Sequence, residues 1–287
     1  MNLNGRRQSN NIQDRRGGKG RLALGGGIGA VIIAALIAWI SGGNPLDVLM
    51  SNSGTLLGGG ASGTEYVPDA QDAELEAFTS KILAGTEDVW SAEFKKMGLE
   101  YEPPTLVLFN GSVQSGCGGA TSQVGPFYCS ADNCVYIDLS FFKEMRQSLG
   151  ADGDFAYAYV IAHEVGHHVQ DQLGILGKAH EQMSRTSEEE ANRISVRIEL
   201  QADYLAGVWA NHDNAMFGSL EPGDVEEAVN TARVIGDDYL QKKAQGYAVP
   251  ESFNHGTSEQ RQRWLAKGLQ LGTISGGDTF SVPYSDL

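Results

Sequence analysis

Between Asp69 and Met97 apolar residues return at helical spacing, with Leu75, Phe78 and Ile82 followed by Val89, Trp90 and Phe94, and Gly98 suits a helix end. Pro103-Pro104 separates this predicted helix from Thr105-Leu106-Val107-Leu108-Phe109, a short run of strand composition. Asn110-Gly111 opens a glycine-rich loop that runs to Pro126. Cys134 to Leu139 predicts a second strand, which leads into a short helix over Phe141 to Leu149. Asp154 starts a helix suited to burial, with Phe155, Tyr159, Val160, Val165 and Val169. After a polar loop over 174–190, a long helix is predicted from Glu188 to Ala210 through Ile198, Leu200, Leu205 and Trp209. Another lies over Pro222 to Gln245, and Thr257-Ser258-Glu259-Gln260 is a capping-box pattern that opens a last helix through Trp264. A few short strands against several helices predict an α+β domain, mostly helical with a small sheet.

The pattern before residue 65 is different. Leu22 to Ile40 is apolar throughout and uncharged, long enough to span a bilayer as one helix. It exceeds a usual signal-peptide core and no clear small-x-small cleavage site follows it, so an uncleaved anchor is expected rather than a cleaved signal. Residues 41–64 are rich in Gly, Ser and Asn and resemble a tether. The expected organisation is therefore a basic cytoplasmic tail over 1–21, a transmembrane helix over 22–40, a linker over 41–64 and the folded domain over 65–287.

Charge supports that orientation. Residues 1–40 hold Arg6, Arg7, Arg15, Arg16, Lys19 and Arg21 against the single acid Asp14, whereas the whole chain carries a net charge of −15. Basic residues beside a span stay on the cytoplasmic side, which would put the domain outside. An acidic body repels phosphate, so nucleic acid is not an expected partner. Cys117, Cys129 and Cys134 fall close together without a Cys-x-x-Cys pair. Two of them could close a loop in an oxidising compartment.

The chemistry centres on His163-Glu164-Val165-Gly166-His167. Residues four apart on a helix lie about 40° apart around its axis, so His163 and His167 project from one face and can share a metal ion. Two imidazoles with room for a carboxylate and a water make a catalytic zinc site, with Glu164 placed to take a proton from the water. A third histidine six residues after His167 is absent, because that position is Leu173, and Gln170 stands where a glycine would be expected. The third ligand is sought on the next long helix, where Glu199 and Asp203 share a face. Zinc would satisfy Glu199, and a histidine N–H would satisfy Asp203 and fix the ring tautomer. The competing reading pairs Glu199 with Arg193 or Arg197 and leaves Asp203 solvated. The motif upstream favours the metal. His168 lies on another face and is expected to pack or hydrogen-bond, while His180 and His212 are expected at the surface. His255 precedes the Thr257 capping box, in a loop that could fold over the site and place a donor for an oxyanion. An ordinary loop histidine is the other reading.

Several segments in the same order resemble the neutral zinc metallopeptidase family of bacteria, the YpfJ type. They are the basic start with its apolar run, Val124-Gly125-Pro126-Phe127-Tyr128-Cys129, Val135 to Phe142, His163 to Gln170, Glu199 to Trp209 and His255 to Trp264. The resemblance implies a zincin-like, gluzincin arrangement with one zinc ion per chain, His163, His167 and Glu199 as ligands and Glu164 as general base. It also implies a peptide or protein substrate and a bacterial inner-membrane protein whose domain faces the periplasm. It suggests a Cys117–Cys129 disulfide, with Cys134 a departure from the family pattern. The alternative from another class is a zinc-stabilised scaffold or binding protein of the cell envelope that cuts nothing.

Overall fold

A computed structural model describes residues 1–17 and 70–287. The apolar run 22–40 and the linker 41–64, expected as an anchor and a tether, lie outside those residues. Among the described residues no helix is long and apolar enough to cross a membrane. The architecture is α+β and mostly helical with a small sheet, as the hydrophobic pattern implies.

The sheet has the order β1-β2-β6-β5, formed by Ile12–Asp14 (β1), Thr105–Leu108 (β2), Cys134–Ile137 (β6) and Phe127–Cys129 (β5). β1 runs parallel to β2 and β2 parallel to β6, while β5 returns antiparallel along β6 with Phe127 opposite Tyr136. The glycine-rich stretch expected as a loop contains a two-stranded antiparallel hairpin, Ser112–Ser115 (β3) with Gly118–Thr121 (β4). Its polar, glycine-containing strands lack the apolar alternation that marks a strand in sequence.

Helix α1 (Ala70–Lys96) buries Ile82, Leu83, Val89 and Trp90. The short α2 (Ser140–Glu144) leads through a π-helical turn to Gly150. α3 (Asp154–Gln172) is buried along almost its whole length and forms the centre of the core. It packs against α5 (Glu188–Phe217), whose N-terminus is capped by the Ser187 side chain and carries Glu188, Glu189 and Glu190 in its first turn, where the helix dipole favours acids. The stretch expected as a polar loop over 174–190 holds helix α4 (Ile175–Met183), which buries only Leu176 and Ala179 and so shows little apolar signal. The helix expected over Pro222 to Gln245 is two, α6 (Asp224–Val234) and α7 (Asp237–Gln245). The break falls at Gly236, where a Cβ would lie 2.3 Å from the Ser258 backbone nitrogen, so the chain turns to let the next segment pass. α8 (Ser258–Leu271) begins with the Thr257–Gln260 capping box and packs along α5. The crossing is close: a Cβ on Gly268 would lie 2.0 Å from the Tyr204 carbonyl oxygen.

The stretch expected as a basic cytoplasmic tail over 1–21 is described in part. Residues 1–17 supply β1 and pack on α1 and on the C-terminal end of α5.

Candidate metal and active site

Gly166 sets the site's geometry. Where α3 crosses α5, a Cβ at this position would lie 3.1 Å from the Ala202 carbonyl oxygen and 3.3 Å from its Cα. The absence of a side chain brings the two helices together and places Glu199 and Asp203 opposite His163. His163, His167 and Glu199 then form a cluster whose ligand atoms all lie within 4.8 Å of one another. His163 Nε2 is 3.1 Å from Glu199 Oε2, and His167 Nε2 is 3.5 Å from Glu199 Oε1.

Both imidazoles are held from behind. His163 Nδ1 lies 2.8 Å from Asp203 Oδ1, and His167 Nδ1 lies 2.9 Å from Gln170 Oε1. With each Nδ1–H donated to an oxygen, both Nε2 atoms are left facing Glu199. Gln170 is itself fixed, because its amide donates to the Ile198 carbonyl at 2.8 Å and to Gln201 Oε1 at 3.0 Å. Asp203 is fully buried and accepts from the Tyr159 hydroxyl at 2.6 Å and from Arg261 Nε at 2.8 Å and Nη2 at 2.9 Å. The Arg261 guanidinium, reached from α8, stands 4.0 Å from Glu199.

The electrostatics of this donor set fit a cation. Burial alone would lower the His163 pKa, yet Asp203 and Glu199 outweigh it and hold the imidazole up at about 10. Burial would raise Glu199, but His167 and His163 pull it well below the usual carboxylate range. A site that attracts a proton this strongly between two imidazoles and a carboxylate has the charge and donor atoms for zinc. Glu164 is also buried. Desolvation pushes its carboxyl above the ordinary value against the pull of His163 and His167.

His255 comes to the same cavity from the loop before α8. Its Nδ1 lies 3.1 Å from Asp237 Oδ1, while Asp237 Oδ2 accepts the backbone N–H groups of Asn254, His255 and Gly256 at 2.8 to 3.0 Å. One buried carboxylate therefore shapes the loop and orients the ring. The cavity has a volume of about 310 Å³, with His163, Glu164, His167, Glu199, His255 and Arg261 on its polar side. Its other walls are mostly apolar. Val124 and Pro126 come from the segment entering β5, Phe127 and Tyr128 from β5, Phe141 from α2, Leu176 and Met183 from α4, Ile235 from the turn after α6 and Leu240 from α7.

The remaining predicted residues fall as follows. Cys117 and Cys129 are joined in a disulfide that brackets the segment forming one cavity wall, and Cys134 is a buried free thiol. His168 is buried, with Nδ1 at 3.0 Å from the Tyr128 hydroxyl and Nε2 at 2.7 Å from the Glu102 carbonyl. His180 is exposed but lines the cavity, and His212 is half-buried, with Nε2 2.7 Å from the Gly272 carbonyl. Sequence reasoning did not single out Gln170, Asp237, Tyr159 or Arg261 for these contacts. Gln170 carried a signal, since a polar residue three positions after His167 shares its helix face. Asp237 and Arg261 carried none, because their partners are distant in the chain.

Two histidines and a glutamate from crossed helices, with a buried glutamate beside them in an apolar cavity, match the kind of donor set that metal-dependent hydrolases use. The sequence comparisons agree with that class. A family model described as "Putative neutral zinc metallopeptidase" matches residues 1–280, and the chain belongs to that family. It is 46% identical over 287 residues to the uncharacterised protein YpfJ of Escherichia coli K12, covering 98% of this chain and 99% of that one. It is 39% identical over 220 residues to uncharacterised proteins of Mycobacterium bovis and Mycobacterium tuberculosis, covering 73% of each chain. No solved structure gives a significant match.

Proposed function

We propose that the chain is a zinc-dependent peptidase in which His163, His167 and Glu199 hold the metal and Glu164 is the general base. The observation that carries the reading is the paired tethering of the two imidazoles, by Asp203 and by Gln170, which turns both Nε2 atoms toward one carboxylate. Zinc bound there supplies Lewis acidity that acidifies water and polarises a carbonyl. Glu164 takes the proton of the attacking water and returns it to the amine that leaves when the peptide bond breaks. His255, oriented by Asp237, donates to the oxygen that becomes negative as the water adds, and the buried setting strengthens that contact. Arg261 and Tyr159 hold Asp203 and through it fix the His163 ring.

A scaffold would need the three ligands but neither a buried base nor an apolar cavity beside them, and the chain has both. The reading is tested by measuring zinc content and hydrolysis of a peptide library in parallel. Glu164→Gln is expected to keep about one zinc per chain and lose turnover, and Glu199→Ala to lose both. A Glu164→Gln protein that still cleaves peptides would remove Glu164 from the role of base.

A further inference from the structure

The N-terminal arm is bound into the domain at three levels. In the backbone, β1 extends the sheet, with Leu106 N–H donating to the Asn11 carbonyl and Arg15 N–H to the Leu108 carbonyl, both at 2.8 Å. In the side chains, Arg6 makes two bonds to Asp213, at 2.7 and 3.2 Å, and its guanidinium lies 3.7 Å over the Phe217 ring. Arg7 pairs with Glu87 at 2.8 Å and Asp88 at 2.6 Å, Ser9 and Asn11 also donate to Glu87, and the buried Arg16 pairs with Asp14 and Glu76. The third level is in α1 itself. Gly85 lies inside that helix, where glycine is unfavourable, and a Cβ there would lie 2.6 Å from Arg6 Nη2 and 2.7 Å from Asp213 Oδ1. The space that Gly85 leaves open is the space the Arg6–Asp213 pair fills.

We infer that residues 1–17 are a structural part of the domain, docked in an acidic groove between α1 and the end of α5, and that they share one side of any membrane with residues 70–287. An arm on one face of a bilayer and a domain on the other could not make these contacts. The orientation expected from basic residues alone counts charges that are free to stay in the cytoplasm. Here Arg6, Arg7 and Arg16 are each paired with acids of the folded body, and separating the buried Arg6–Asp213 pair leaves an uncompensated charge. Removing the arm would also bare the β2 edge of the sheet. The inference is independent of zinc and of catalysis.

The test uses the full chain in native membranes or cells. In a Cys134→Ala background, Asn10→Cys and Lys178→Cys each place one free thiol at an exposed position of the arm or of the domain, and a membrane-impermeant maleimide reads their accessibility in intact and opened cells. Both labelled together, or both protected together, is the expected result, and labelling from opposite sides overturns the inference. A second reading comes from Gly85→Ala in the purified full chain. With the arm docked, the added methyl strikes Arg6 as well as Asp213, and the melting temperature falls by several degrees more than the same substitution lowers it in an Arg6→Ala chain. With the arm free, Gly85→Ala has the same effect in both backgrounds, and that result also overturns the inference.

Discussion

Asp203→Ala separates the two tasks of the buried carboxylate. The substitution deletes the acceptor of His163 Nδ1, of the Tyr159 hydroxyl and of two Arg261 N–H groups. Arg261 would then be a buried cation whose nearest carboxylate is Glu199, at 4.0 Å. Breaking such a pair from one side costs about 3–5 kcal/mol. For a domain of this size about 1 kcal/mol moves the melting temperature by roughly 2–4 °C, so a fall of roughly 6–20 °C is expected by scanning calorimetry of the metal-free protein. The second task is the His163 tautomer. Losing a partner behind a ligand weakens metal binding about 10- to 100-fold, or about 1.4–2.8 kcal/mol, measured by competition with a chromophoric chelator. The double variant Asp203→Ala with Arg261→Met removes the stranded cation as well. It is expected to recover most of the melting temperature and none of the zinc affinity. If the double variant recovers both, Asp203 acts on zinc through the fold alone and the argument for ring orientation fails.

Further predictions follow from the same geometry. His255→Ala should lower kcat by about 10²- to 10³-fold with zinc still bound, and Asp237→Asn should lower it less, because the donor remains but its loop loosens; equal zinc content and unchanged turnover would exclude both. Gln170→Leu should weaken zinc binding about tenfold while Glu164→Gln does not, as elemental analysis after graded chelation would read. Replacing Cys117 and Cys129 by serine should cost about 2–4 kcal/mol in urea unfolding, and should raise KM more than it lowers kcat because the cavity wall between them loosens. Burial, with the Asp138 carboxylate nearby, holds Glu144 up at about 7. Between its ordinary value and about 7 the folded chain binds more protons there than the unfolded chain, so this group's contribution to stability falls as pH rises through that window. Glu144→Gln should therefore raise the melting temperature at pH 8 and leave it unchanged at pH 4; an equal change at both would show that the carboxyl is not the cause.

The helices whose apolar stripe faces the core were legible in the sequence. α1, α3 and α5 begin where the spacing of Leu75, Phe155 or Ile198 and their neighbours places them, and α8 begins at its capping box. α4 and the β3–β4 hairpin were not, because they bury little and their polar surfaces look like loop. The His163–Glu164–His167 group was legible because a helix fixes side chains four apart on one face whatever surrounds it. Glu199 and Asp203 could be named by the same rule, but their place opposite His163 depends on the close crossing at Gly166. Gln170's hold on His167, Asp237's hold on the His255 loop and Arg261's pairing with Asp203 were decided by tertiary structure. So was the docking of Arg6 on Asp213, 207 residues away. Local spacing carries information about neighbours within a turn or two of helix. The partner of a buried charge is set by which elements meet, and that is known only once the chain has packed.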